Sequence, residues 1–335
     1  MPHFLPVFIF SANGTSSVTK IRYHGYRPGF SLQLHLGHDI YIFLINSMKT
    51  FLLIILLSAT FHLYAQPMPD TETTPDTSLP YALIAGGSKG IGYGIAEALA
   101  KRHYNLILIA RHRDTLDYAK HKLESDYNIH VVVLVYDLAK EESATEIAQW
   151  CTAHHIHLKM LCNVAGLGGS NDYLSLPLDS LRYMVRLNVE SCMALTLTLL
   201  PLLEKNAPGY ILNVASMAGF APIPEKNMYS ATKSAVIFFS YALRQQLRKK
   251  HISVSCLCPG PVFTKPEIVK TTKEKLGWFG MKMAMMPHKA GEITVRKTLK
   301  KRMIIVPGTL ARTMSGVLRI LPRRASAALY YKVGG

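Results

Sequence analysis

A short apolar run that breaks into three spaced glycines constrains the fold of this chain more than any other feature of its sequence. Tyr81–Ala85 has the length and apolar character of a buried parallel strand, whereas the apolar residues that follow recur at helical spacing. These helical positions are Ile91, Ile95, Ala98 and Leu99. A strand, a glycine turn and a helix in this order predict a Rossmann-type α/β fold. We therefore expect a doubly wound parallel sheet in three α/β/α layers, formed as a single domain.

The three glycines of this turn have separate predicted roles. Gly86 permits the tight turn, Gly90 lets the backbone approach a pyrophosphate, and Gly92 allows close packing of the helix. The helix N-terminus then faces the negative charge of the phosphates. Lys89 does not occupy the lysine position of an ATP-binding P-loop, so that alternative is set aside. The loop residues predicted to contact a dinucleotide are Gly86, Ser88, Lys89, Gly90, Ile91 and Gly92.

The end of the next strand predicts which dinucleotide is preferred. Asn105–Ala110 is a second buried apolar run, and Arg111 follows it where an NAD-preferring fold places an acid for the ribose 2′-hydroxyl. A guanidinium suits a 2′-phosphate, and Lys89 can reach the same group. We therefore expect NADP(H), with NAD(H) as the weaker cofactor. A third strand at residues 130–136 leads to Asp137 and Leu138, where the acid would accept a hydrogen bond from the adenine amino group.

A tyrosine and a lysine four residues apart predict proton chemistry. Tyr229 and Lys233 lie in residues 228–247, whose composition favours a helix, so both side chains project from one face. A tyrosine hydroxyl, with an ordinary pKa near ~10, is a poor acid at neutral pH, and a neighbouring ammonium lowers that pKa. We expect Tyr229 to donate a proton and Lys233 to tune it.

In their order along the chain, these motifs resemble the classical branch of the short-chain dehydrogenase/reductase family. The resemblance covers about residues 80–265. It rests on Gly86-Gly-Ser-Lys-Gly90-Ile-Gly92, Asn163-Val-Ala-Gly166, Leu187-Asn188-Val189, Asn213-Val-Ala-Ser216, the Tyr229/Lys233 pair and Pro259-Gly260. Two departures alter hydrogen bonds that brace the cofactor loop: Ala85 replaces the family's usual threonine, and Val164 replaces its second asparagine.

The resemblance implies roles for further residues. Lys233 would also bind the nicotinamide ribose, Ser216 would hydrogen-bond the substrate carbonyl, and Asn188 would hold a water for proton relay. The predicted catalytic set is Asn188, Ser216, Tyr229 and Lys233. The additional predicted cofactor contacts are Asn163, Ala165, Gly166, Tyr229, Lys233, Pro259, Gly260, Val262 and Thr264.

The function that follows is hydride transfer between NADPH and a carbonyl or secondary alcohol. The pattern is similar to the branch containing 3-oxoacyl thioester reductases and hydroxysteroid dehydrogenases, which implies a 3-oxoacyl thioester, a steroid or another lipophilic ketone. Two alternatives stay open: a noncatalytic NADP-binding sensor or scaffold, and an epimerase or dehydratase on the same fold. The resemblance also implies a homo-oligomer that pairs through the helices carrying Asn188 and Tyr229.

The C-terminal region, residues 266–335, is predicted to form a substrate lid and a basic extension. Residues 261–335 carry 16 Lys and Arg against 3 Asp and Glu, in a chain of formal net charge +17. Trp278, Phe279 and four methionines lie among these charges. Such a region suits an anionic bilayer surface or a phosphate-bearing thioester. No stacking or groove-reading motif accompanies the charge, so a nucleic-acid partner is not expected.

Histidines and cysteines predict neither a metal site nor a disulfide framework. His154, His155 and His157 have no acid or cysteine at ligand spacing. The five cysteines show no regular spacing. Cys256 and Cys258 alternate along the predicted apolar strand Ile252–Leu257, which predicts core packing.

The N-terminal region has the pattern of a targeting segment. Residues 48–65 join Met48 and Lys49 to a fifteen-residue apolar run, which predicts a signal peptide or a short membrane anchor. Residues 1–47 would then be an upstream extension of the reading frame, and residues 66–79 a polar linker to the catalytic domain at 80–265. We expect membrane association or export with the side open, and a cytoplasmic protein as the alternative.

Overall fold

The computed structural model describes residues 8–10, 16–18, 79–168 and 174–334. The chain divides into two units, Met1–Thr71 and Glu72–Gly335. In the first unit, strands β1 (Phe8–Phe10) and β2 (Ser16–Val18) pair antiparallel. The predicted signal or anchor at residues 48–65 lies outside the described residues.

The second unit alternates strands and helices. Its strands are β3 (Tyr81–Ala85), β4 (Asn105–Ala110), β5 (Val131–Val135), β6 (Leu158–Asn163), β7 (Gly209–Val214), β8 (Ile252–Leu257) and β9 (Ile304–Ile305). Its helices are α1 (Gly90–Ala100), α2 (Arg113–Tyr127), α3 (Ser143–Ala153), α4 (Leu178–Val185), α5 (Ser191–Lys205), α6 (Asn227–Gln246), α7 (Pro266–Met283), α8 (Pro287–Leu299), α9 (Thr309–Ile320) and α10 (Arg323–Gly334). A π-helical turn, Arg186–Glu190, joins α4 to α5.

The sheet confirms the predicted doubly wound topology. Over the described residues it has seven strands, all parallel, in the order β5-β4-β3-β6-β7-β8-β9. The strand order reverses between β3 and β6, and a crevice beyond their carboxyl ends is the usual ligand site of such sheets. At this point the backbone N–H groups of Val164 and Ala165 donate hydrogen bonds of 3.0 and 2.7 Å to the Ala85 carbonyl, which join the ends of the two strands. The sheet continues past residue 265, because β9 pairs with β8.

Two apolar layers, one on each face of the sheet, form the core. One layer packs α3, α5 and α6 against the strands through residues such as Ile147, Leu195, Leu199 and Leu243. The other layer packs α1, α2 and α8 through residues such as Ile95, Leu116, Leu123 and Val295. The three-layer arrangement predicted from the sequence is therefore present.

Two glycines bring helices α1 and α8 into backbone contact. A Cβ atom placed on Gly291 would lie 2.0 Å from the Gly94 carbonyl oxygen, and one placed on Gly94 would lie 2.3 Å from the Pro287 carbonyl oxygen. The close packing predicted for Gly92 is present as well, because a Cβ on Gly92 would lie 1.9 Å from the carbonyl oxygen of Gly86 at the end of β3. Gly92 closes the loop, and Gly94 with Gly291 sets the helix crossing.

Replacing Gly291 with alanine is expected to destabilise the protein by about 1–3 kcal/mol, because the new methyl group must push α8 away from α1. Gly316→Ala is the matched control, since Gly316 is also a helical glycine and a Cβ placed there would meet nothing within 4 Å. Alanine there is expected to be neutral or stabilising by about 0.5–1 kcal/mol through helix propensity. Urea unfolding of both variants checks this, and equal midpoints would contradict the close crossing.

Within the described residues, one helical stretch, Leu178–Lys205, is long and apolar enough to cross a membrane. Its apolar face packs on the sheet through Leu195, Leu199 and Leu203, so this stretch has the character of a core helix. The outer surfaces of α5 and α6 expose Leu197, Phe238 and Tyr241. The expected pairing of two copies through these helices stays a prediction, which light scattering tests.

Candidate active site

The glycine loop turns sharply at the carboxyl end of β3. Gly86 has φ +89° and Gly90 has φ +59°, conformations that side chains with a Cβ rarely adopt. A Cβ on Gly86 would lie 2.8 Å from the Ala165 backbone nitrogen, and one on Gly90 would lie 3.0 Å from Cγ2 of Thr264. The fold therefore brings Ala165 and Thr264, both predicted cofactor contacts, against the loop that opens α1.

Lys233 is buried behind this loop, on helix α6. Its Nζ donates a hydrogen bond to the Val214 carbonyl at 2.9 Å and lies 5.9 Å from the centroid of the Tyr229 ring. Burial lowers the pKa of Lys233 from its ordinary value, because the ammonium has lost most of its hydration. A buried cation of this kind stabilises a negative charge that develops on a nearby tyrosine oxygen.

The loop after β6 lies against the Tyr229 and Lys233 side chains. A Cβ on Gly166 would lie 3.1 Å from Lys233 Nζ and 3.2 Å from Asn188 Oδ1, and one on Gly168 would lie 3.7 Å from Cε2 of Tyr229. Three of the four predicted catalytic residues therefore surround this loop.

Asn188 holds that loop in place. Its Oδ1 accepts a hydrogen bond from the Leu167 backbone N–H at 2.7 Å, and its Nδ2 donates to the Leu167 carbonyl at 3.0 Å and to Thr232 Oγ1 at 3.1 Å. Asn188 belongs to the π-helical turn between α4 and α5, a distortion that is frequent at functional sites. Thr232, one residue before Lys233, is an addition to the predicted site.

Ser216 follows β7 at the same edge of the sheet. It is half-buried, and its Oγ accepts a hydrogen bond from the Ala218 backbone N–H at 3.1 Å, which starts a short 3₁₀ turn. The Met217 N–H donates to the Pro259 carbonyl at 3.0 Å, which ties this turn to the loop after β8. Val262 in that loop pairs with Met285, so the end of the predicted lid is joined to the predicted cofactor contacts Pro259, Gly260 and Val262.

Asn163 has its side chain in the core. Its Nδ2 donates to Asn213 Oδ1 at 2.9 Å and to Thr196 Oγ1 at 3.0 Å, and Asn213 in turn donates to Ser240 Oγ at 3.0 Å. This buried network braces β6 and β7 where both strands end. The Asn163 side chain therefore stabilises the strand ends from which the site is built.

A chain of three polar side chains lies where β4 and β5 end. Arg111 donates a hydrogen bond to the Tyr183 hydroxyl at 2.8 Å, and that hydroxyl donates to Asp137 Oδ1 at 3.0 Å. Burial, followed by the bond to Asp137, raises the pKa of Tyr183. Lys89 is exposed at the start of α1, and Leu138 is buried. Sequence reasoning misses Tyr183, because no motif marks its position on α4.

The predicted core packing of Cys256 and Cys258 is confirmed, since both are buried in an apolar cluster. Among the described residues, no group of three metal-ligating side chains occurs. His154 stacks on Trp150 with 4.0 Å between ring centroids. All five cysteines are free and buried, and burial raises the pKa of Cys151 and of Cys192 to about 12. The thiols of Cys151 and Cys192 are therefore poor nucleophiles at neutral pH.

The sheet order and the glycine loop at its switch point define a Rossmann-type dinucleotide-binding protein. A model of the short chain dehydrogenase family matches residues 80–275, and the chain belongs to this family.

Three known proteins illustrate the similarity. The very-long-chain 3-oxoacyl-CoA reductase of Mus musculus is 31% identical over 200 residues, which cover 58% of this chain and 64% of the mouse protein. The NADP-dependent 3-hydroxy acid dehydrogenase of Schizosaccharomyces pombe is 29% identical over 233 residues, which cover 68% of this chain and 90% of that protein. The structure of L-sorbose reductase from Gluconobacter frateurii, complexed with NADPH and L-sorbose, superposes with a TM-score of 0.62 at 25% identity, covering 69% of this chain and 97% of that one.

Proposed function

We propose that this protein is an NADPH-dependent reductase of a lipophilic carbonyl compound, with a 3-oxoacyl thioester as the first substrate class to test. The observation that carries the proposal is the convergence of Lys233, Asn188 and Tyr229 on the Gly166–Gly168 loop, beside the glycine turn of a dinucleotide-binding fold. Ser216 follows the neighbouring strand β7 at the same sheet edge.

The residues of the crevice fit a dinucleotide phosphate. Gly86 and Gly90 have positive φ and carry no side chain that would block a phosphate. Helix α1 begins at Gly90, and the first N–H groups of a helix are available to bind an anion. Lys89 and Arg111 supply positive charge for a 2′-phosphate. A structural neighbour is an NADPH complex, which supports the same cofactor here. When bound, this cofactor supplies the hydride.

Side chains of this protein would orient the substrate carbonyl and donate the proton. Ser216 Oγ would orient the substrate carbonyl oxygen, and Tyr229 would donate its proton to that oxygen as it gains negative charge. The buried Lys233 ammonium would favour the resulting tyrosinate. Asn188, which fixes the loop after β6, would place a water that returns a proton toward Tyr229.

The relatives and the lid support the substrate class. By name, the mouse and fission yeast relatives act on a 3-oxoacyl-CoA and a 3-hydroxy acid, respectively. Met281, Met283 and Met285 are half-buried at the end of helix α7 and just after it, in the predicted lid, and methionine adapts readily to apolar ligands. A long acyl chain is therefore a suitable occupant.

The test is NADPH oxidation by the full chain against 3-oxoacyl thioesters of increasing acyl length, ketosteroids and small ketones. We expect kcat/KM to rise with acyl length by about tenfold or more between short and long chains, because each buried methylene adds about 0.8 kcal/mol until the pocket is filled. Highest activity with small ketones would contradict the lipophilic substrate. Cofactor binding without net NADPH oxidation would favour the sensor or the epimerase.

A further inference from the structure

The last two helices, α9 and α10, meet at a corner that is fixed to the catalytic unit. The chain turns at Leu321 and Pro322 between them. On the inner side of α9, Ala311 and Leu318 are buried in the same apolar cluster as Phe220. The orientation of the outer side is therefore set by the core.

Both helices of this corner expose large apolar side chains. The exposed fractions are 49% for Val317, 86% for Ile320, 50% for Leu329 and 73% for Tyr331. Thr313, Val317 and Ile320 follow one another at spacings of four and three, so they form one stripe along α9. We name the outer side of α9 and α10, residues 309–331, the basic corner.

The charge of this region is of one sign. Residues 293–334 contain ten Lys and Arg and no Asp or Glu. Among the described residues, the ion pairs of the structure include no cation from Arg296 to Arg324.

Two of these arginines are held by contacts to Phe220, and others lie close enough to Lys297 to affect its pKa. The Arg319 guanidinium lies 4.5 Å from the Phe220 ring centroid, and Arg323 donates to the Phe220 carbonyl. Burial first, and then the charges of Arg312, Arg296 and Arg302, lower the pKa of Lys297. Arg312, Arg296 and Arg302 are therefore close enough to Lys297 to repel its positive charge.

We propose that the basic corner docks on an anionic lipid bilayer, with Ile320 and its apolar neighbours entering the interface and the arginines contacting lipid headgroups. Exposed apolar residues beside cations without acidic partners are typical of interfacial helices. A purely polar anion would neutralise the cations but leave Ile320 and Leu329 in water. An anionic bilayer both neutralises the cations and removes the apolar side chains from water.

Helix α9 also connects this corner to the candidate active site. A Cβ on Gly260 would lie 3.8 Å from Cβ of Ala311, and one on Gly308 would lie 3.7 Å from Cε of Met285. Ala311 and Ile320 are nine residues apart, or about 14 Å along a helix. Docking would therefore hold the lid close to the membrane surface, a position that suits the lipophilic substrate of the proposed function.

A fluorescent label on α9 tests the docking directly. Because all five native cysteines are buried, Thr313→Cys in the full chain gives one accessible thiol for an environment-sensitive dye. We expect a blue shift and about a threefold rise in emission with phosphatidylglycerol-containing vesicles, much less with phosphatidylcholine vesicles, and loss of the signal near ~0.5 M salt. Tyr118→Cys, at a position 71% exposed on α2, is the control and is expected to stay unchanged.

Charge reversal tests the arginines. Arg319→Glu with Arg324→Glu, in the Thr313→Cys background, is expected to raise the lipid concentration needed for half the signal by about tenfold or more. Lys205→Glu with Lys249→Glu makes the same net-charge change at exposed sites elsewhere and is expected to have little effect.

Three results would overturn the proposal. The first is no blue shift of the dye at position 313 when anionic vesicles are added. The second is an equal blue shift of the dye at position 118. The third is an equal rise in the lipid concentration needed for half the signal in the two charge-reversal pairs. A blue shift that appears without lipid would assign the corner to a protein contact instead. The dye reports on its own surroundings, so attachment of the chain through another segment does not produce the signal. NADPH oxidation is measured separately, so failure here leaves the proposed reaction untouched.

Discussion

Replacing Tyr229 with phenylalanine is expected to lower NADPH-dependent turnover by about 10²–10⁴-fold, which is the usual contribution of a positioned general acid. The substitution removes only the hydroxyl. The ring can keep its place beside Gly168 and Lys233, because both contacts involve the ring rather than the oxygen. The loss should therefore appear in kcat, with little change in the affinity for NADPH.

Tyr241→Phe is the matched control for this variant. Tyr241 lies on the same helix, α6, but its side chain is exposed on the outer surface. We expect its turnover to stay within about twofold of the wild type, since surface substitutions away from a site have small effects. NADPH binding, measured by quenching or by thermal shift, should be retained by both variants. Turnover of Tyr229→Phe within a few-fold of wild type would assign the proton donor to another group.

The strands that lead to the site could be predicted closely from the sequence. Tyr81–Ala85, Asn105–Ala110 and Ile252–Leu257 coincide with β3, β4 and β8. Each is a continuous apolar run that is buried on both faces of a parallel sheet and ends at a glycine, a charge or a cysteine–proline turn. The helix predicted at 228–247 is displaced by one residue from α6 because helix ends carry no sharp side-chain signal here.

Features that depend on distant contacts could not be predicted in this way. Gly94 and Gly291 touch across two helices that are almost 200 residues apart in the chain, and neither glycine has a local motif. Strand β9 has only two residues and is defined by pairing with β8 rather than by composition. Tyr183 acquires its place between Arg111 and Asp137 only when α4 packs beside the ends of β4 and β5.

The second large effect is expected from Arg111 and Lys89, the cations predicted to contact the 2′-phosphate of the cofactor. Arg111→Ala combined with Lys89→Ala should raise the KM for NADPH by about 100-fold or more, because each charged hydrogen bond to the 2′-phosphate contributes about 1.5–3 kcal/mol. NADH lacks this phosphate, so kcat/KM with NADH should stay within about twofold of wild type. Arg111→Asp should go further and improve the use of NADH, since a carboxylate there can accept a hydrogen bond from the ribose 2′-hydroxyl.

Comparing NADPH with NADH distinguishes a contact of Arg111 with the 2′-phosphate from a structural role of Arg111. Arg111 also donates to the Tyr183 hydroxyl, so its removal frees a group that is bonded to Asp137. Tyr183→Phe breaks that chain without changing any charge, and a structural role predicts that it impairs NADPH and NADH equally. Arg113→Ala, which removes a neighbouring cation that pairs with Asp117, controls for net charge. If Arg111→Ala impaired both cofactors equally, as a structural role requires, Arg111 would serve to position Tyr183 and Asp137. A loss confined to NADPH would make Arg111 the residue that distinguishes the two cofactors, with the Tyr183 hydroxyl holding its guanidinium ready for the phosphate.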